Sequence, residues 1–296
     1  MRDMKELLLQ YTKETEDVVY SYLPAEEGHQ KKVFEAMNYS VKAGGKRLRP
    51  LLMREVYRLF GGHGREIEPM MAAIEMIHTS SLIHDDLPCM DNDEYRRGKK
   101  TTWVEYGYDM AVLAGDALLI YAVETAAKAY DMTDEPLRVG KCIRILARKT
   151  GIYGMIGGQT VDVELSGERI PKDKLDFIYC LKTGALLEAS MVIGAIMAGA
   201  SEAECATVER MASAIGLAFQ IQDDILDVTG TQEVLGKPVR SDEKNSKTTY
   251  VTIEGIEKAK SDVKKLSETA LDILYSLPGK NEFLEELIQL LINREK

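Results

Sequence analysis

Over most of this chain apolar side chains recur at i, i+3, i+4 and i+7, and only eight prolines interrupt its 296 residues. That period lines the apolar groups up on one face of successive helices, and no stretch alternates in a way that demands a strand. An all-α fold is therefore expected. Gly44-Gly45-Lys46-Arg47-Leu48-Arg49-Pro50 reads as a turn feeding a helix that ends before Gly61-Gly62. A second helix starts near Pro69 and runs to Asp85, where Pro88 breaks or kinks it. Residues 91–102 read as a loop, and helical windows follow at roughly 109–130, 137–166, 172–199 and 202–227, then a polar stretch over 229–249 and C-terminal helices. No Ser- or Pro-rich linker and no internal repeat beyond a duplicated acidic motif divides the chain, so a single domain over residues 1–296 is the simplest organisation.

A 45% hydrophobic content supplies ample core, and the net charge of −10 argues against a nucleic-acid or anionic-membrane surface as partner. Any anionic ligand must then be held by local basic clusters or by metal ions. Cys89, Cys142, Cys180 and Cys205 form no Cys-x-x-Cys pair and read as reduced thiols, which points to a cytoplasmic protein. The N-terminal residues lack a signal peptide's apolar core. The most apolar stretch, Ala185–Ala200, contains Glu188 and falls short of the roughly 20 residues a spanning helix needs, so no transmembrane segment is expected.

Chemistry concentrates in two aspartate clusters, Asp85-Asp86-Leu87-Pro88-Cys89-Met90-Asp91 and Asp223-Asp224-Ile225-Leu226-Asp227. Carboxylates are hard ligands that suit Mg²⁺, which keeps most of its waters and is shared with substrate phosphates, so a phosphate or diphosphate ester is the implied substrate. In the second cluster Gln220, Asp223 or Asp224, and Asp227 share a helical face, embedded among Phe219, Ile221, Ile225 and Leu226. Acidic groups in apolar sequence are destabilised unless cations offset them. His78, Ser81 and Asp85 form one stripe, from which His84 is turned away; Lys46 and Arg49 flank a helix N-terminus that itself favours an anion. Gln159 and Asp162 share a face, as either supports of a site or ordinary buried polar groups.

Gly44-Gly45-Lys46-Arg47-Leu48-Arg49-Pro50, Ser81 to Asp93, Arg96-Arg97-Gly98-Lys99, Gly157-Gly158-Gln159, Lys182-Thr183-Gly184-Ala185-Leu186 and Phe219 to Asp227 are together similar to the ordered motif set of bacterial trans-prenyl diphosphate synthases, the farnesyl and geranylgeranyl diphosphate synthases. The resemblance implies a helical barrel around an apolar cavity, usually homodimeric, that joins isopentenyl diphosphate to an allylic diphosphate with commonly three Mg²⁺. It implies that Lys46, Arg49, His78 and Arg97 hold isopentenyl diphosphate. Arg96, Lys182, Lys237 and Lys247 would contact the allylic diphosphate, bridged by metal to Asp85, Asp86, Asp91, Asp223, Asp224 and Asp227, while Thr183 and Gln220 aim oxygens at the carbocation. Small-residue faces such as 189–200 are compatible with close helix packing.

Trp103, Glu94-Tyr95 and Arg240 depart from the family pattern without removing a proposed ligand. A terpene cyclase would lack the Gly-Gly-Lys-Arg-Leu-Arg-Pro segment and the second aspartate motif, and a non-catalytic partner subunit would have eroded motifs. In relatives that stop at the farnesyl chain, a bulky residue stands four or five positions before the first aspartate. Here those positions hold Ser81 and Ser80, so geranylgeranyl diphosphate is the expected product and farnesyl diphosphate the alternative, unless a deeper residue such as Tyr121 or Met155 supplies a floor.

Overall fold

A computed structural model describes residues 4–229 and 248–292. The chain runs through α1 (Met4–Ser21), α2 (Lys31–Val41), α3 (Leu48–Leu59) and α4 (Glu68–Asp85) to a two-residue hairpin, β1 (Tyr95–Arg96) and β2 (Lys99–Lys100). It continues through α5 (Thr102–Tyr106), α6 (Tyr108–Ala127), α7 (Pro136–Thr150), α8 (Met155–Glu164), α9 (Lys172–Ile178), α10 (Ala185–Met197) and α11 (Glu202–Thr229). After the segment outside the described residues come α12 (Tyr250–Glu254), α13 (Ile256–Ser276) and α14 (Glu282–Ile292). The all-α expectation holds.

Helix α10 is the axis of the core. Every residue from Ala185 to Met197 is buried, and the helix packs on α3, α7 and α11. The small residues of 189–200 thus serve close helix packing within the chain. Two helical stretches, 108–132 and 172–197, are long and apolar enough to cross a bilayer. The second is 78% buried inside the fold and the first only 39%, so the less enclosed apolar stretch is α6, not the one most apparent in the sequence. Leu113, Ile120 and Val123 of α6 are exposed.

Three boundaries differ from the sequence reading. The window 137–166 splits into α7 and α8, because Gly151 and Gly154 leave helical torsions and Gly154 sits against the Lys149 carbonyl, where a Cβ would come within 1.8 Å. The window 172–199 carries a π-helical turn, Tyr179–Gly184, between α9 and α10. The loop 91–102 contains the β1–β2 hairpin, pinned by Thr101 Oγ1 and Trp103 Nε1, which both donate to the Asp93 carbonyl (2.7 and 2.9 Å).

Candidate active site

Helix α4 delivers Asp85 as its last residue, and the chain then turns back on itself. Leu87 N–H donates to the His84 carbonyl (3.2 Å), Met90 N–H to that of Leu87 (2.8 Å) and Asp91 N–H to that of Asp85 (2.8 Å). Asn92 takes a left-handed φ of 54°, a conformation asparagine tolerates better than most residues. The break at Pro88 therefore returns Asp91 to Asp85, whereas an unbroken helix would carry it away. Asp86 is buried and takes a forked contact from Arg96, whose Nε donates to Oδ1 and Oδ2 at 2.8 and 3.0 Å. Arg96, assigned by resemblance to the allylic diphosphate, is thus held here by Asp86.

Asp85 Oδ1 accepts from Gln159 Nε2 of α8 at 2.8 Å. Burial, reinforced by the charges of Asp91 and Asp86 and opposed by Lys182 and Arg96, pushes its carboxyl up to about 6. A cluster so short of compensating charge is suited to a cation. Among the described residues no three acidic, histidine or cysteine side chains converge to cage an ion alone. Mg²⁺ is characteristically held through few carboxylates, retained waters and substrate phosphates.

In α11 Asp223 and Asp224 differ in burial. Asp224 turns into the protein, where its Oδ2 accepts from Tyr179 O–H (2.6 Å) and from the Tyr250 backbone N–H (2.7 Å). Asp223 is half-buried and Asp227 buried. The Tyr179–Asp224 contact ties α11 to the π turn, and such turns often mark functional sites because they redirect side chains. This one presents Lys182 and Thr183 to an apolar cavity. Lys182 Nζ donates to Asp162 Oδ2 at 2.6 Å. Gly158 lets α8 lie against the turn, since a Cβ there would come within 2.3 Å of Lys182 N.

The apolar cavity measures 680 Å³. Arg49, His78, Asp85, Lys182 and Thr183 supply much of its polar lining, with Leu82, Met90, Leu119, Met155 and Leu186 among its apolar walls. Ser80 and Ser81 both line it, as does Met155, while Tyr121 is not among its lining residues and donates its hydroxyl to the Tyr22 carbonyl (3.1 Å). Gln220, Asp223, Asp224 and Asp227 are also not among the lining residues. Lys237 and Lys247, like Arg240, lie outside the described residues.

A second cavity of 410 Å³ adjoins the first and shares Arg49 and His78 with it; Lys46 and Arg97 line it too. Arg97 has φ 53°, and its Nη1 donates to the Gly44 carbonyl. A Cβ on Gly45 would lie 2.7 Å from the Arg97 Cζ, so only glycine, here at φ 142°, admits the guanidinium. Arg49 Nε and His78 Nδ1 are buried without a hydrogen-bond partner. Burial, with Arg97 nearby, brings Arg49 down to about 10 against the pull of Glu75. Burial and the same arginines bring His78 down to about 4, so its ring is neutral. A buried Arg49 Nε–H without a partner, beside clustered cations, describes a receptor for an anion.

Sequence reasoning assigned nothing to Arg47 and Glu75, which support this wall. Arg47 has φ 49° and a wholly buried side chain that donates to Glu75 Oε1 (2.7 Å), Glu16 Oε1 (3.1 Å), Tyr20 Oη (3.2 Å) and the Val41 carbonyl (2.6 Å). Glu75 Oε1 in turn lies 3.8 Å from His78 Nδ1.

Residues 30–287 match the family model described as polyprenyl synthetase. The chain belongs to the polyprenyl synthetase family. It is 41% identical to a geranylgeranyl diphosphate synthase of Cyanophora paradoxa over 97% of this chain and 96% of the relative. It is 42% identical to a farnesyl diphosphate synthase of Geobacillus stearothermophilus over 87% and 86%. Among solved structures, a geranyltransferase of Helicobacter pylori complexed with magnesium and isoprenyl diphosphate superposes with a TM-score of 0.83 at 31% identity, covering 99% of this chain and 97% of that one. The all-α architecture of this polyprenyl synthetase is thus shared with members whose structures are solved.

Proposed function

We propose that this polyprenyl synthetase condenses isopentenyl diphosphate with allylic diphosphates and releases geranylgeranyl diphosphate. The observation that carries the reading is the pair of joined cavities: a cationic one with an unpartnered donor, meeting at Arg49 and His78 an apolar one headed by the Asp85 cluster. Two anionic heads and one growing hydrocarbon tail fit that division.

In this reading Lys46, Arg49, His78 and Arg97 bind the diphosphate of the isopentenyl substrate. Arg96, Lys182, Lys237 and Lys247 bind the allylic one, with Asp86 holding the Arg96 guanidinium in place. Asp85, Asp86 and Asp91, with Asp223, Asp224 and Asp227, would hold Mg²⁺, three ions by resemblance, and the metal would supply Lewis acidity to the departing diphosphate. The allylic C–O bond breaks with its electrons on the diphosphate. The double bond of isopentenyl diphosphate then attacks the cation to form a carbon–carbon bond, and the departed diphosphate takes up the proton whose loss restores an alkene. Thr183 and Gln220 orient their oxygens toward the cation, and the apolar walls exclude water that would quench it.

The chain-length assignment rests on Ser80 and Ser81, small residues on the cavity wall. Incubation with Mg²⁺, isopentenyl diphosphate and a dimethylallyl, geranyl or farnesyl starter should yield geranylgeranyl product from each. Ser81→Phe should divert the product to farnesyl diphosphate with the first condensation retained, because a ring excludes chain by overlap. A wild-type enzyme that stops at farnesyl diphosphate, with Ser81→Phe unchanged from it, refutes the chain-length reading.

The two heads should separate kinetically. Arg49→Ala should raise KM for isopentenyl diphosphate by roughly tenfold or more, and Lys182→Ala should act on the allylic substrate, since each charge-assisted contact serves a different anion. Steady-state titration of one substrate at saturating levels of the other checks this, and equal effects on both would count against it.

We also propose a homodimer, supported by the exposed apolar side chains Leu113, Ile120 and Val123 of α6, which a second copy would cover. The four cysteines are free thiols, in keeping with a reducing compartment.

A further inference from the structure

We propose that His84 and Gly115 together set the width of the product cavity and so act as a specificity-determining pair for chain length. This rests on the reading of the 680 Å³ cavity as the site of the growing chain. His84 precedes Asp85 at the end of α4, and its ring lines that cavity. The ring's other side abuts α6, where Nε2 donates to the Val112 carbonyl (3.3 Å) and lies 3.6 Å from Asp116 Oδ1. Between those two residues stands Gly115. A Cβ added there would come within 2.1 Å of Nε2, 2.5 Å of Cδ2 and 2.8 Å of Cε1. The absent side chain is therefore the seat of the ring. Leu119, one turn beyond on the same face of α6, continues the cavity wall.

The pair works as a lever because both helices are fixed. Ala114 and Leu118 of α6 are wholly buried, and α4 is buried along most of its length. A side chain at position 115 thus moves the ring and not the backbone. Restoring an ordinary contact of about 3.5 Å requires a shift of roughly 1.4 Å. Val112 and Asp116 stand on the α6 side of the ring, so a Cβ at 115 turns it away from α6 and toward the cavity that it lines, where it narrows the space for a lengthening tail. Excluding or admitting a few methylene groups changes selectivity by about 10–200-fold for each, so this intrusion suffices to alter the product.

The test compares product distributions of wild type, Gly115→Ala, His84→Ala/Gly115→Ala and His84→Phe with Mg²⁺, isopentenyl diphosphate and geranyl diphosphate. Gly115→Ala should lower the ratio of geranylgeranyl to farnesyl product at least about tenfold while farnesyl diphosphate is still made. Removing the ring in the double variant should restore the wild-type ratio, which a general loss of stability would not do. His84→Phe, whose longer ring strikes Gly115 from the other side, should shorten the product as well, and decides the matter if Gly115→Ala fails to fold. An unchanged ratio in a folded Gly115→Ala or in His84→Phe, or a double variant as restricted as Gly115→Ala, overturns the pair. A wild-type protein inactive with every starter refutes the function itself and takes the pair with it; an active wild type with unmoved variants refutes the pair alone.

Discussion

Asp85→Ala is expected to lower kcat by on the order of 10³-fold while leaving the metal-free protein as stable as wild type or more so. The loss follows from removing a group that stabilises the departing diphosphate where its charge develops. The stability claim follows from the raised carboxyl: a carboxylate that burial and two neighbouring aspartates hold up to about 6 opposes folding when charged at neutral pH. Asp223→Ala should cause a comparable loss in turnover. The two readouts, turnover against Mg²⁺ concentration and a denaturant midpoint in chelator, separate this from trivial unfolding. Near-normal turnover of Asp223→Ala would remove the second motif from the reaction. A fall of several kcal/mol in the midpoint stability of Asp85→Ala would contradict the electrostatics of the first.

Helices were legible in the sequence because burial of one face imposes a 3.6-residue period, and the return of Asp91 to Asp85 was legible because Pro88 cannot continue α4. What escaped was decided by tertiary contact. Gly151 and Gly154 end α7, while Gly157 and Gly158 sit within α8; the same residue type breaks one helix and opens the other to its neighbour, and only the atoms opposite tell them apart. Small residues at 189–200 fit a dimer interface and a core helix equally well until α3 and α11 are in place around them. His84 lay off the His78–Ser81–Asp85 stripe, yet the cavity wraps around the end of α4 far enough to meet both faces. Arg47 stands between two cationic neighbours with the same chemistry; its left-handed φ, invisible in sequence, turns it inward to Glu75.

That inward turn carries the second large expectation. Glu75→Ala should destabilise the protein by about 3–5 kcal/mol, because it leaves the wholly buried Arg47 guanidinium with only partly exposed Glu16 as its anionic partner. Burial alone would raise the Glu75 carboxyl, but His78 and Arg47 outweigh it and hold it down to about 2. A carboxyl depressed from its usual value near 4.5 contributes stability that is present above about 4.5 and lost as the pH falls toward 2. His78 adds an earlier window. Its ring is held at about 4 against 6.5 in the unfolded chain, so the unfolded chain gains its proton first and stability declines from about 6.5 downward to 4. Denaturant midpoints between pH 8 and 3 should therefore fall in two stages, and His78→Asn should flatten the first and, because His78 also helps to hold Glu75 down, shrink the second. Replacing both members of the pair, Arg47→Met with Glu75→Leu, should recover much of the loss of Glu75→Ala, since no charge is then stranded. The same double variant removes the group beside His78 Nδ1 and should still raise KM for isopentenyl diphosphate, because a ring without its neighbour is free to turn from the anion. Full recovery of stability with unchanged KM would leave the pair a support of the fold and nothing more; failure of the double variant to recover stability would show that shape, not charge, is what Arg47 and Glu75 supply.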